Sequence, residues 1–396
     1  MNLNKLMEKL TNFEPNGSPF ISIYLNAEPD NQGRDNFGAW LKKVLSMRTK
    51  GFKENSAELE SYEKDVERIM DFAEKNVDDS ANGIAVFACN GANGFFETVQ
   101  LDAPFPNNRL LVFDRPHIFP LARMIDQNPP YVAMWADTNK ASLYIFGGDE
   151  IDVDKDAKVE EIDNYKTSRS DVGKRSQARY QRHIENYHLH HAKEVVDEIA
   201  ELMRDKNIEH LVLCGDETVI MPVLRPQLSE KLENAVAGTI NLSQYASEDE
   251  IHEATKSLMT TKNAATDMEN VERVKNAAKA AAGLGSLGVE ETLKALSNGQ
   301  VQELVISANF DAIEYDKKEV KTILENYAPG EDHSGTDDLP DYHEERQIAD
   351  ELLIRAMNSA DKIHFIEDAS LLEKNGGVGA VLRFNMNAEA AIPVKG

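Results

Sequence analysis

Cysteine is nearly absent: the 396 residues hold only Cys89 and Cys214, far apart in apolar, strand-like runs. That excludes a disulfide framework and any cysteine-based zinc spacing, and it points to the cytoplasm. Long apolar runs are missing as well, since none approaches the roughly 20 residues of a membrane-spanning helix. The opening Met1-Asn2-Leu3-Asn4-Lys5-Leu6-Met7-Glu8-Lys9 reads as a polar helix start, not a secretory signal. Positive charge is scarce, with 43 Lys and Arg against 69 Asp and Glu and a net charge of −26. Such a balance argues against a general coat for nucleic-acid phosphates, whose affinity comes from clustered cations. What is present is an apolar content of 41%, enough for true cores and too much for a disordered acidic chain. At roughly 150 residues per domain, two or three domains are expected.

Three sections differ in texture. The first predicts a short helix over Leu3–Leu10 and a strand over Phe20–Leu25. A charged helical stretch follows over Phe37–Lys75, then strands over Gly83–Cys89, Phe95–Leu101 and Leu110–Phe113. Asn90-Gly91-Ala92-Asn93-Gly94 carries hairpin chemistry, and Asp126-Gln127-Asn128-Pro129-Pro130 marks a boundary. The second section opens on a hairpin, Tyr131–Ala136 and Ala141–Phe146. A long charged loop from Gly147 to Gly173 leads to a helix from about Ser176 to Lys206 and a buried strand, His210–Cys214. Strand, long helix and strand imply an α/β layer. The third section begins near Asn263. There Thr266-Asp267-Met268-Glu269 has the form of a capping box and predicts a helix to Ala282. Helices over Val289–Ser297 and Leu352–Met357 and strands over Glu303–Ser307 and Lys362–Ile366 follow. An acidic insert, 331–350, holds eight acids against Arg346 alone. No internal repeat is visible.

Four stretches invite a chemical reading. Gly283-Leu284-Gly285-Ser286-Leu287-Gly288 matches the dinucleotide fingerprint letter for letter. That fingerprint needs a strand before it, so that the glycines turn the chain onto a helix N-terminus facing pyrophosphate. Here an Ala-rich helix precedes it, which reads as a helix stop and a linker, so no nucleotide cofactor is expected. The stretch from Lys166 to Lys193 reverses the sign of the chain: Lys166, Arg169, Lys174, Arg175, Arg179, Arg182 and Lys193 outweigh Asp171 and Glu185. A loop followed by a helix start with Arg179 and Arg182 on neighbouring turns can grip phosphates, while the plainer alternative is a solvated basic face. His183, His188, His190 and His191 lack the spacing of a metal motif and no carboxylate completes a set, so no metal is assigned. Asp137 with Asp216 or Glu217 could form a strand-end carboxylate pair of the two-metal kind. Both aspartates also sit where turns favour Asp, and the turn reading is preferred.

Three separated stretches resemble one family. Gly173-Lys174-Arg175-Ser176-Gln177-Ala178-Arg179-Tyr180-Gln181-Arg182 is similar to the G-G-Q-S-x-x-R-[FY] loop and helix start of archaeal and eukaryotic class-one release factors. Val289-Glu290-Glu291-Thr292-Leu293-Lys294-Ala295-Leu296, with Gly299, Val301 and Leu304, resembles the opening of their third domain. Gly376-Gly377-Val378-Gly379-Ala380-Val381-Leu382-Arg383-Phe384 is similar to its closing strand. The chain is thereby identified as a bacterial member of the archaeo-eukaryotic-type release factor family, related to Pelota.

The resemblance implies an α/β fold of three domains. These are an N-terminal one (1–128), an RNase H-like middle one carrying the loop (129–262) and a C-terminal release-factor-like one (263–396). It implies a ribosome-associated factor acting on peptidyl-tRNA at the large subunit. Gly173, Arg175, Ser176 and Gln177 would then shape the active loop. Lys174, Arg179, Arg182, Lys166 and Arg169 would hold RNA phosphate. Lys174 replaces the second Gly of the motif and Arg175 its Gln, and the nearest glutamine, Gln177, comes two residues later. Ester hydrolysis is therefore left open beside a silent binding module of the same fold and a tRNA-end nuclease. The first domain has no Asn-Ile-Lys-Ser motif, so rescue of stalled ribosomes is expected rather than stop-codon reading. The acidic insert 331–350 would face an unknown protein partner.

Overall fold

The computed structural model describes residues 3–29, 37–78, 80–137, 140–148, 158–163, 177–243, 245–280, 282–323 and 344–386. In the first section, helix α1 (Leu3–Thr11) buries Leu3, Leu6, Met7 and Leu10. Those positions form the i, i+3, i+4, i+7 stripe of an amphipathic helix. Strand β1 (Phe20–Asn26) is followed by helices α2 (Phe37–Arg48) and α3 (Ala57–Lys75). The helical stretch expected over 37–75 is made of these two helices, with a break between them. Asn55 takes φ 58°, and the Ser56 side chain caps α3 by accepting the Leu59 N–H at 3.1 Å.

Strands β2 (Gly83–Cys89), β3 (Phe95–Leu101) and β4 (Arg109–Phe113) complete an antiparallel sheet of order β3-β2-β1-β4. Its central strand reads as one apolar run because both faces are covered. Ile21, Ile23 and Leu25 meet Leu41 and Leu45 of α2 and Tyr62 and Ile69 of α3. Phe20 and Tyr24 face the opposite core. Helix α4 (Phe119–Gln127) ends the section.

The middle section forms a compact unit of its own, Asn128–Gly148 and Asp152–Asn263. It holds β5 (Tyr131–Ala136), β6 (Lys140–Phe146), β7 (Lys158–Asp163), helix α5 (Gln177–Lys206) and β8 (His210–Gly215). Two short helices, α6 (Met221–Leu224) and α7 (Glu230–Ala235), precede β9 (Val236–Ile240). The sheet order is β7-β6-β5-β8-β9; β6 runs antiparallel to both neighbours, while β8 and β9 run parallel to β5. This is the RNase H-like arrangement. The stretch 147–173, read as loop from the sequence, contains β7, whose Ile162 is buried.

In the third section, α8 (Glu248–Lys279) is one uninterrupted helix. Its cap is Ser247, not Thr266. The Ser247 N–H donates to Glu250 Oε2 at 2.9 Å, and the Glu250 N–H donates to Ser247 Oγ at 3.2 Å. That reciprocal pair is a capping box one motif earlier than expected. Strand β10 (Gly285–Leu287), α9 (Val289–Ser297), β11 (Val301–Ser307), α10 (Lys317–Ile323), α11 (Glu344–Ser359), β12 (Lys362–Ile366) and β13 (Val378–Leu382) follow. Their sheet has the order β10-β13-β11-β12, with only β11 and β12 parallel. The sequence 283–288 thus joins a helix to a strand. Gly283 turns at φ 58°, and a Cβ on Gly285 would lie 2.4 Å from the Ala278 nitrogen, so β10 needs glycine to pass the end of α8.

The first and third sections form one compact unit, Met1–Gln127 with Ala264–Gly396, around a shared core. Leu6 of α1, Tyr24, Phe87 and Phe119 lie in it with Leu293, Ile306, Leu352 and Phe365. At its centre His117 Nδ1 pairs with Asp350 Oδ2. The other Asp350 oxygen accepts the Ile118 and Phe119 N–H groups, each at 3.0 Å. Asp350 is 6% exposed, so the last acid counted in the insert is an internal residue of α11; residues 331–343 lie outside the described residues. No helix among the described residues is long and apolar enough to cross a membrane.

Candidate nucleic-acid interface

The candidate site is set by one end of the middle sheet. Ala136 is the register partner of both Ala141 and Gly215, Asp163 pairs with Lys140, and Ile240 pairs with Cys214. The carboxyl ends of β5, β7, β8 and β9 therefore share one edge. Strand β7 ends at this edge with Asp163, and the described chain resumes at Gln177, the first residue of α5.

Helix α5 runs from Gln177 to Lys206 without a glycine or proline, so nothing in it favours a break. Among its described side chains the first fully buried one is His191, which is 1% exposed. Ala192, Val195, Val196, Ile199 and Met203 then pack against Val132, Met134, Leu143 and Leu213 of the sheet. Burial lowers the His191 imidazole pKa, while the Lys140 carbonyl, Glu194 and Asp137 pull it back up. His191 thus marks where α5 passes the strand ends at the Asp137–Lys140 turn. The turns from Gln177 to His190 precede that point. At 1.5 Å per residue they are about 21 Å of helix.

Gln177, Arg179 and Arg182 lie in the first two turns of α5. Lys166, Arg169, Gly173, Lys174, Arg175 and Ser176 lie outside the described residues. His188 is half-buried, His190 exposed and His191 buried. Among the described residues no group of three His, Cys, Asp or Glu side chains is placed to hold a metal ion.

The strand-end aspartates are committed to turns. Asp137 Oδ1 accepts the Lys140 N–H at 2.8 Å. Asp216 Oδ1 accepts the Thr218 N–H at 2.7 Å, the Thr218 hydroxyl at 2.6 Å and the Val219 N–H at 3.0 Å. Those bonds hold the Asp216 carboxyl below its usual pKa. The structure does bring Asp137 and Asp216 to adjacent strand ends, each spending an oxygen on backbone geometry. What sequence reasoning missed is β7, the strand that fixes where the basic segment departs. Its signal was weak, since Val159 and Ile162 are its only apolar residues before Asp163.

Residues 116–258 match the model of the bacterial archaeo-eukaryotic release factor family 10. Over that stretch the chain is similar to the bacterial archaeo-eukaryotic release factors. Along its whole length it is similar to peptide chain release factor subunit 1 of Thermococcus kodakarensis, 22% identical over 426 residues, with 97% of each chain covered. Among solved structures it is similar to the archaeal translation termination factor aRF1, at 14% identity and a TM-score of 0.26, covering 96% of this chain and 97% of that one. It is also similar to Dom34 of S. cerevisiae, at 11% identity and a TM-score of 0.41, covering 78% and 81%. The matched region takes in the entire middle sheet and α5.

Proposed function

We propose that this release-factor relative is a cytosolic factor that enters the ribosome and acts on peptidyl-tRNA at the large subunit, clearing stalled complexes without reading a stop codon. The observation that carries the reading is the reversal of charge over 166–193, a segment that leads into the continuous helix α5 within a chain of net charge −26. A cationic segment in an acidic chain favours entry into a field of phosphates by that segment. Gly173, Arg175, Ser176 and Gln177 shape the active loop, and Lys166, Arg169, Lys174, Arg179 and Arg182 hold RNA phosphate.

A second reading has its own support. Lys174 and Arg175 occupy the positions where the family motif has Gly and Gln, and cationic side chains suit phosphate contact better than the placing of a water. On that reading the chain occupies the tRNA site and leaves the ester intact. The two are separated by mixing purified protein with large subunits carrying labelled peptidyl-tRNA, using wild type, Arg175→Ala and Gln177→Ala. Peptide release by wild type, lost in either variant, supports hydrolysis. Co-sedimentation without release supports the binding module, and a shortened tRNA supports a nuclease. Absence of ribosome binding at moderate salt removes the proposal.

A further inference from the structure

Six asparagines are followed by glycine: Asn16, Asn82, Asn90, Asn93, Asn298 and Asn375. In that pair the glycine nitrogen can attack the asparagine carboxamide, because no Cβ shields it and its backbone turns freely. The reaction needs the glycine N–H unengaged and the peptide free to rotate, and the fold denies this to five of the six. Gly91 N–H donates to Ser61 Oγ at 3.1 Å. Gly94 N–H donates to the Asn90 carbonyl and Gly299 N–H to the Leu296 carbonyl, each at 3.0 Å. Gly83 lies within β2, its neighbour Asn82 bonded on both sides, to Leu101 at 2.9 Å and from Ala27 at 2.8 Å. Asn375 N–H donates to the Leu372 carbonyl at 2.8 Å, and the Gly376 carbonyl accepts from Glu314 at 3.3 Å. A Cβ at Gly376 would lie 3.0 Å from the Glu314 oxygen, so that turn has no room to swing. Asn16 and Gly17 differ. Both are exposed, Gly17 sits at φ 81° with open space around it, and its N–H has no acceptor among the described residues.

We propose that Asn16–Gly17 is a self-modification site, at which the folded protein loses ammonia and gains an aspartate or a β-linked isoaspartate. The Gly17 nitrogen gives its proton to solvent base and bonds to Asn16 Cγ. The Cγ–Nδ2 bond breaks, ammonia leaves, and a succinimide ring remains. Water then opens the ring at either carbonyl: cleavage at Cγ leaves aspartate, and cleavage at the main-chain carbonyl leaves isoaspartate. No cofactor or oxidant takes part. The Ser18 N–H donates to Asn16 Oδ1 at 3.0 Å, which turns the carboxamide back over the Gly17 peptide. That donor also faces the oxygen on which negative charge develops as the nitrogen attacks. Isoaspartate routes the main chain through the former side chain and lengthens it by one methylene. The added atom falls between Leu10 of α1 and Phe20 of β1, both fixed in the shared core, so one of the two must shift to admit it. The proposal goes beyond the ribosomal reading and does not depend on it.

The test incubates the purified full chain at mildly alkaline pH, folded and in urea, and follows each of the six asparagines by peptide mass mapping. A second readout is methyl transfer from a labelled donor by an isoaspartyl methyltransferase, on wild type and on Asn16→Gln. In the folded chain Asn16 is expected to convert roughly tenfold or more ahead of the other five, each of which must first open locally. In urea that lead collapses, because the six pairs then share one chemistry. Asn16→Gln is expected to melt with wild type and to lose most of the methyl acceptance. Conversion of Asn298 or Asn375 as fast as Asn16 in the folded chain overturns the proposal. So does an Asn16 that stays intact in the folded chain while it reacts in urea, or methyl acceptance unchanged in Asn16→Gln.

Discussion

Asp350 shows how much one carboxylate can organise. It pairs with His117 and takes two backbone N–H groups at the start of α4, while His117 offers its carbonyl to the Tyr24 hydroxyl. Removing one member of such a buried pair strands the other without water. Asp350→Ala is therefore expected to cost about 3–5 kcal/mol, read from urea denaturation of the full chain; a loss below 1 kcal/mol would mean the pair is incidental. Asp65 makes a different prediction. Burial raises its carboxyl to about 6 against the pull of the Asn90 N–H and Arg68, so the folded chain holds a proton there that the unfolded chain releases near 4. Its contribution is present below pH 4 and is lost as pH rises through 6. Asp65→Asn should flatten that part of the stability curve. The difference between wild type and variant, followed by thermal melting from pH 4 to 6.5, carries the sign, and a difference that grows the other way refutes it.

At the scale of elements, caps decide more than composition. Ser247 and Glu250 satisfy each other's backbone N–H at the start of α8. Ser247→Ala is expected to cost about 1 kcal/mol in chemical denaturation. An unchanged midpoint would place the helix start elsewhere. The sequence holds that motif twice, at Ser247 and at Thr266, and local chemistry cannot choose between them. A long helix packed on two cores can run through an internal capping motif, because tertiary contacts of Ile251, Met259, Val271 and Val274 outweigh it. The same limit explains the break between α2 and α3, where a continuous charge pattern hides the left-handed Asn55. It also explains β7, too poor in apolar residues to announce itself. Hairpins with turn chemistry, such as Gly83–Leu101 around Asn90–Gly94 and Tyr131–Phe146, were legible outright, as were α5 and α9 with their apolar stripes. For the site, the sequence offers residue types and their order but not where α5 meets the sheet; that His191 lies beside the Asp137–Lys140 turn is a fact of three dimensions.

For the whole molecule, the shared core makes the first and third sections one stability problem. Residues 1–127 expressed alone are expected to lack fixed tertiary structure by near-ultraviolet circular dichroism, and co-expression with 264–396 should restore it. A cooperative melt of 1–127 by itself would refute this. The arrangement also has a cost at birth. Tyr24, Phe87 and Phe119 emerge from the ribosome early, and their partners Leu352 and Phe365 come only near the end of the chain. At 5–20 residues per second the interval between Gln127 and Asp350 is roughly 10–45 s. During that wait an aromatic surface stands open, and the middle unit can finish folding first. The late event in making this protein is therefore the closing of residues 264–396 on 1–127, after the middle unit is already complete.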